Sequence, residues 1–381
     1  MKKFQLLLIS LIIALTANCS HVTPYYRSNA ASDRPATVEN RAIRSRLLLI
    51  GDAGEPRKNE PVLALLRDWA AELPRKTTVV FLGDNIYPNG MPGETAANRK
   101  DAERRLTPQL NAVIESGARG IVVPGNHDWE QGAANGAKAV LREQAFVIEK
   151  LADENSFLPK DGCPGPVKVD LDGVRLIVLD TQWWLQTKNR PGAGCPFGTE
   201  EAALKALSEM TASAGDRAVV IVGHHPFATK GPHGGFYTWK DHIFPLTNLV
   251  DWLWVPLPVI GSLYPLGRWY LVKSPQDMNG NLNKQMRRRI TEAVSGSKPL
   301  LYASGHEHSL QVFENVGVAD YVLVSGAGAG EKIEKVGHDS RTLFAHSHPG
   351  FMAIDFLTDG RVLLRVIEPG ELQSVYLKWL R

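Results

Sequence analysis

Short continuous apolar runs recur along the chain, at residues 46–50, 77–82, 120–123, 175–179 and 218–222. Runs of this length without polar alternation suit strands covered on both faces. Helix-like stretches lie between them, at 60–73, 95–116, 136–153 and 199–213. Strand alternating with helix predicts a largely parallel sheet layered with helices. After residue 299 the pattern changes to strands, at 299–304, 310–315, 320–325, 351–357 and 361–367. Asp359 with Gly360, and Asp172 with Gly173, read as tight hairpin turns. The expectation is an α/β fold of two packed mixed β-sheets flanked by helices.

The stretch from 243 to 271 breaks this order. It holds Pro245, Pro256, Pro258, Gly261 and Pro265 among many Trp, Leu and Val, with no charge between Asp251 and Arg268. Internal prolines forbid an unbroken helix, so a transmembrane span is not expected. A loop over the rim of a site, packed on the protein or dipping into a membrane surface, fits better.

Composition bounds the class. The 381 residues are 44% hydrophobic and 22% charged, ordinary for a globular protein, and a single domain over 45–381 accommodates them. The formal net charge of +3 argues neither for nor against a nucleic-acid partner, so none is indicated, and oligomeric state is not legible in these patterns.

The N-terminus reads as an export signal: Lys2 and Lys3 precede an apolar run from Phe4 to Leu15. A retained membrane anchor is the alternative. The segment Leu15 to Ser20 resembles a bacterial lipoprotein signal with Cys19 acylated, although Asn18 stands where a small residue is usual. Residues 1–19 are thus read as the signal and polar 20–44 as a tether, with simple cleavage as the alternative to lipidation. This implies an exported protein, in the periplasm or cell envelope. Cys163 and Cys195 form one disulfide there or remain two buried thiols.

The strand ends carry the chemistry. They lead into Gly51-Asp52-Ala53-Gly54, Gly83-Asp84-Asn85-Ile86-Tyr87, Gly125-Asn126-His127-Asp128, Gly223-His224-His225-Pro226 and Gly305-His306-Glu307-His308. Each alone is weak, because Gly-Asp after a strand is commonly a capped turn and a lone histidine is commonly structural. Five in order are specific, since ligands gather beyond the carboxyl ends of strands in α/β sheets. Carboxylates and imidazoles coordinate metals, and a carboxylate can bridge two ions about 3.5–4 Å apart.

The series GDxG, GDxxY, GNHD, GHHP and GHEH resembles the calcineurin-like metallophosphoesterase superfamily, over roughly residues 46–330. Tyr87 and the Asp52-Ala53-Gly54 segment make it most similar to the purple (tartrate-resistant) acid phosphatases. The resemblance implies the four-layer sandwich of that superfamily and two metal ions. Ferric iron would be held by Asp52, Tyr87 and His308, and divalent iron, zinc or manganese by Asn126, His224 and His306, with Asp84 bridging. It implies acid phosphomonoester hydrolysis through in-line attack of a hydroxide shared by the ions. A phosphodiesterase or nucleotide phosphohydrolase is the close alternative, and a non-catalytic membrane-associated lipoprotein the alternative of another class.

Three further residues are expected at the reacting phosphate: His127 as hydrogen-bond donor or acid, Asp128 orienting His127 or capping a helix, and His233 as a second substrate-side histidine. His225 is expected behind the metal ligands. His346 and His348 are expected on a surface loop, with a pocket-side pair as the alternative.

Overall fold

The computed structural model describes residues 23–27, 39–248, 252–330 and 333–381. The signal segment and Cys19 lie outside the described residues, as does most of the expected tether. The tether reading is corrected at two places. Residues 43 and 44 already belong to the first long strand. Tyr25–Tyr26 (β1) is a short edge strand that pairs antiparallel with Thr342–His346 (β11).

Two mixed sheets form the molecule. The six-stranded sheet contains Ile43–Ile50 (β2), Thr77–Phe81 (β3) and Arg119–Val122 (β4), all parallel. Phe351–Leu357 (β12), Val362–Ile367 (β13) and Tyr376–Trp379 (β14) extend it antiparallel from β2. The eight-stranded sheet has the parallel trio Val174–Val178 (β6), Ala218–Val222 (β7) and Leu301–Ser304 (β8) at its heart. Around it lie Val167–Leu171 (β5), Leu310–Glu314 (β9), Tyr321–Ser325 (β10), β11 and β1.

The apolar runs are explained by the period of two. Leu47, Leu49, Val80 and Leu82 point inward, against Leu176, Val178, Val220 and Val222 of the other sheet. Leu48, Ile50, Val79 and Phe81 point outward, into the helices Pro61–Ala71 (α1), Arg99–Ser116 (α2) and Gly136–Leu151 (α3). On the far side Ile177, Leu179, Val219 and Ile221 meet Thr181–Leu185 (α4), Glu200–Ala212 (α5) and Asn281–Val294 (α8). Each strand is buried twice, which gives helix, sheet, sheet and helix layers. Every such side chain contributes about 1.5–3 kcal/mol.

Helix α8, strands β11 and β14, and β1 are absent from the sequence expectations, whereas β5 is the strand that the hairpin turn at Asp172 and Gly173 implies, antiparallel to β6. The segment from 239 on is a series of short turns: Trp239–Ile243 (α6), Ile260–Ser262, Leu263–Leu266 (α7) and Gly267–Val272. No helix among the described residues is long and apolar enough to cross a membrane. Cys163 and Cys195, left open by sequence, are disulfide-bonded with Cα atoms 5.6 Å apart.

Candidate metal centre

The parallel trios of both sheets end at one edge of the sandwich, and five loops converge there. Asp52 follows β2, Asp84 and Tyr87 follow β3, and Asn126 follows β4; His224 follows β7, and His306 and His308 follow β8. Asp52 (φ 57°), Asp84 (φ 55°) and His306 (φ 72°) all occupy the left-handed backbone region. Non-glycine residues there are strained, and such strain concentrates at functional sites. The preceding glycines permit close approach. A Cβ on Gly125 would lie 2.3 Å from the Asp84 carboxylate, and one on Gly305 would lie 2.5 Å from that of Asp52.

The donor atoms fall into two groups. In one, Tyr87 Oη lies 3.1 Å from Asp52 Oδ1, 3.2 Å from Asp84 Oδ2 and 2.9 Å from His308 Nε2. In the other, Asn126 Oδ1 lies 2.9 Å from both His224 Nε2 and His306 Nδ1. Those two nitrogens are 3.2 Å apart, and His224 Nε2 is 3.4 Å from Asp84 Oδ2. The same Asp84 oxygen therefore borders both groups. Donors bonded to one ion at about 2.1 Å stand about 3 Å from one another, which matches this spacing.

Proton positions strengthen the fit. The Leu82 carbonyl accepts from His224 Nδ1 at 2.8 Å and the Gln276 carbonyl from His306 Nε2 at 2.9 Å. A carbonyl only accepts, so each imidazole turns its other nitrogen inward, toward the Asn126 oxygen. Burial and the neighbouring histidines push His306 well down, leaving it neutral as ligation requires. Burial opposes charge on His224 and His308, yet Asp84 lifts His224 to about 9, and Glu334 with Asp52 lifts His308 to about 10. The site draws positive charge, and divalent or trivalent ions suit its O- and N-donor set.

His127 presents Nε2 to the same space, 4.0 Å from Asp84 Oδ2, because its Nδ1 is held 2.6 Å from the Pro88 carbonyl. Asp128 does not orient it, which corrects the expectation. Its carboxylate accepts from the backbone amides of Asn85, Ile86 and Gly125 and from Asn85 Nδ2, so it ties two ligand loops together. His233 reaches the cleft, its ring centroid 4.1 Å from that of His306. The carboxylate that orients a cleft histidine is Asp277, 2.8 Å from His233 Nδ1 and also bound by Arg268.

Asp277, Gln276, Arg268 and Glu334 escaped the sequence reading, since none lies in a motif at a strand end. Gln276 also holds His225, whose Nε2 lies 2.7 Å from its side-chain oxygen. The surface-loop expectation is corrected for His346, which is buried at the end of β11 with Nδ1 2.7 Å from Glu368, whereas the His348 side chain, 3.1 Å from the same carboxylate, lies 40% exposed in the bend that follows. The cleft over the donors encloses about 580 Å³ and is lined also by Tyr264, Arg268 and Val272.

The fold is similar to that of GAP50, the anchor in the inner membrane complex of Plasmodium, at 15% identity and TM-score 0.55, covering 89% of each chain. It is similar to purple acid phosphatase PPD1 from yellow lupin (Lupinus luteus) seeds, at 12% identity and TM-score 0.53, over 87% of this chain and 53% of that one. PhoD is a further similar structure, at 12% identity and TM-score 0.51, over 89% of this chain and 72% of that one. At such identities the likeness concerns the fold alone. No curated protein matches the sequence. Residues 45–254 match the model of the calcineurin-like phosphoesterase family, and the chain belongs to that family.

Proposed function

We propose that the protein is a dimetal phosphohydrolase whose first substrates are phosphate monoesters, an acid phosphatase of the purple type. The observation that supports this is the Asp84 oxygen common to two groups of donors. Asp52, Tyr87 and His308 would hold ferric iron, Asn126, His224 and His306 a divalent iron, zinc or manganese, and Asp84 both. Ions bound there would supply Lewis acidity toward phosphoryl oxygens and a hydroxide from water at mild pH. His127 and His233 both reach the phosphate, and because Nδ1–H of His127 is donated to the Pro88 carbonyl, it is the imidazolium form that has an Nε2 proton to pass to the leaving oxygen. Asp277 positions His233 for this, and Arg268 adds positive charge at the cleft wall.

The domain is read as 45–381 with an apolar insertion at 243–271, exported behind the signal at 1–19 and held at the envelope through acylated Cys19. The Cys163–Cys195 disulfide supports an oxidising compartment. The mass of the mature N-terminal peptide tests acylation.

The discriminating experiment sets p-nitrophenyl phosphate against bis-p-nitrophenyl phosphate and nucleotides, with metal analysis of the same sample. The expected result is two ions per chain and a clear preference for the monoester. A preference for the diester would move the assignment to phosphodiesterase on the same donors. Likeness to a membrane-complex anchor favours one reading of another class, a non-catalytic envelope protein. Two bound ions with no turnover of any phosphate ester would establish it, but every donor position is intact here.

A further inference from the structure

Between Trp239 and Val272 the chain leaves its apolar side chains in water. Eleven of the fifteen exposed large apolar side chains among the described residues lie there. Trp252 is 77% exposed, Leu263 67% and Leu271 83%. Folded domains rarely show such concentrations unless something covers them. The short helices brace one another: Phe244 packs on Trp239 and Trp254, and Lys240 Nζ sits 4.5 Å over the Trp254 ring. The exposure is thus a property of a folded element.

Four features say what covers it. From Trp252 to Gly267 there is no charged residue, whereas protein interfaces commonly intersperse polar and charged groups at their margins. Indole and phenol rings stand among aliphatic tips, with Lys240 and Lys273 flanking, while the Asp241 carboxylate is spent on capping its own helix at Thr238. That is the composition of an element seated at a lipid interface with anionic headgroups. The same element walls the cleft, because Tyr264, Arg268 and Val272 line it while Leu263, Leu266 and Leu271 face out. Finally, the N-terminal strand arrives on this side. Tyr25 stacks on His338, Gly337 lies against Phe236 and hydrogen-bonds to Lys230, and Gly235 lies against Trp269.

We propose that residues 252–272 seat in the outer layer of a bilayer, holding the cleft at headgroup level, and that the substrate is a lipid phosphate monoester presented there. This rests on the phosphohydrolase reading. Water supplies the oxygen of the new P–O bond, the P–O bond to the lipid breaks, the lipid alcohol leaves with a proton, and inorganic phosphate is released.

The test uses the full chain and vesicles of phosphatidylcholine with phosphatidylglycerol carrying brominated acyl chains. Trp252 is exposed, so quenching of tryptophan fluorescence reads this element whatever the N-terminal residues do. Quenching is expected in the parent chain and should be largely lost in the Leu263→Ser/Leu271→Ser variant. That variant should turn over vesicle-borne phosphatidate at least about tenfold less efficiently while p-nitrophenyl phosphate changes less than about twofold. No quenching in the parent chain overturns the proposal. So does equal turnover of phosphatidate by both proteins, or a parent dimer that the variant converts to monomer, which assigns the face to a second copy. Quenching without turnover of either ester overturns the phosphohydrolase reading and the lipid substrate with it, while the seating stands.

Discussion

Tyr87 is surrounded by burial and by the Asp52 and Asp84 carboxylates, which together push its phenol well up. A phenolate at that place needs a cation beside it. Iron-loaded protein should therefore show a broad visible band that Tyr87→Phe abolishes; a band of equal strength in the variant would remove Tyr87 from the ligand set. His127 stands apart from the donors but faces them. His127→Gln should lower kcat for a monoester by about a hundredfold, within the usual range for acid–base catalysis, at unchanged metal content. Asp128 is a different case, because it is fully buried and serves three backbone amides. Asp128→Ala orphans them at a cost of about 3 kcal/mol or more, read as a lower denaturation midpoint before any change in mechanism.

At the scale of elements, the central register pairs β2 with β12, and Arg46 lies opposite Asp355. Arg46 Nε and Arg365 Nε both donate to that buried carboxylate, at 2.7 and 3.0 Å. Replacing such a pair with apolar groups can be neutral, but removing one partner strands a buried charge. Asp355→Ala should destabilise the fold by about 3–5 kcal/mol in urea unfolding, whereas a change at exposed Asp359 should do little. The disulfide closes a loop between cysteines 32 positions apart, joining the segment after α3 to the segment before α5. Its reduction should remove about 3–4 kcal/mol of chain-entropy stabilisation, visible as a lower thermal midpoint under thiol than without it.

For the whole molecule, the centre is a joint. Asp52, Asp84, Tyr87 and Asn126 come from the six-stranded sheet, and His224, His306 and His308 from the eight-stranded one. Ions bound only by the folded state stabilise it by mass action, about 4 kcal/mol when free metal exceeds Kd a thousandfold. Chelation should lower the thermal midpoint by several degrees and re-addition of metal should restore it. A midpoint indifferent to chelator would show that the sheets do not depend on the ions.

Sequence alone determined the layers and pointed to the candidate donors. Continuous apolar runs such as 47–50 and 218–222 suit strands covered on both sides, and a glycine with a candidate donor residue at each strand end is a local signal. These are properties of neighbours along the chain. Tertiary structure decided what depends on partners distant in sequence: Asp277 rather than Asp128 positions a cleft histidine, Gln276 and Leu82 set which imidazole nitrogen faces inward, and His346 is buried against Glu368. It also paired Tyr25–Tyr26 with β11, since a two-residue edge strand has too short a pattern to read and forms only where an open sheet edge receives it.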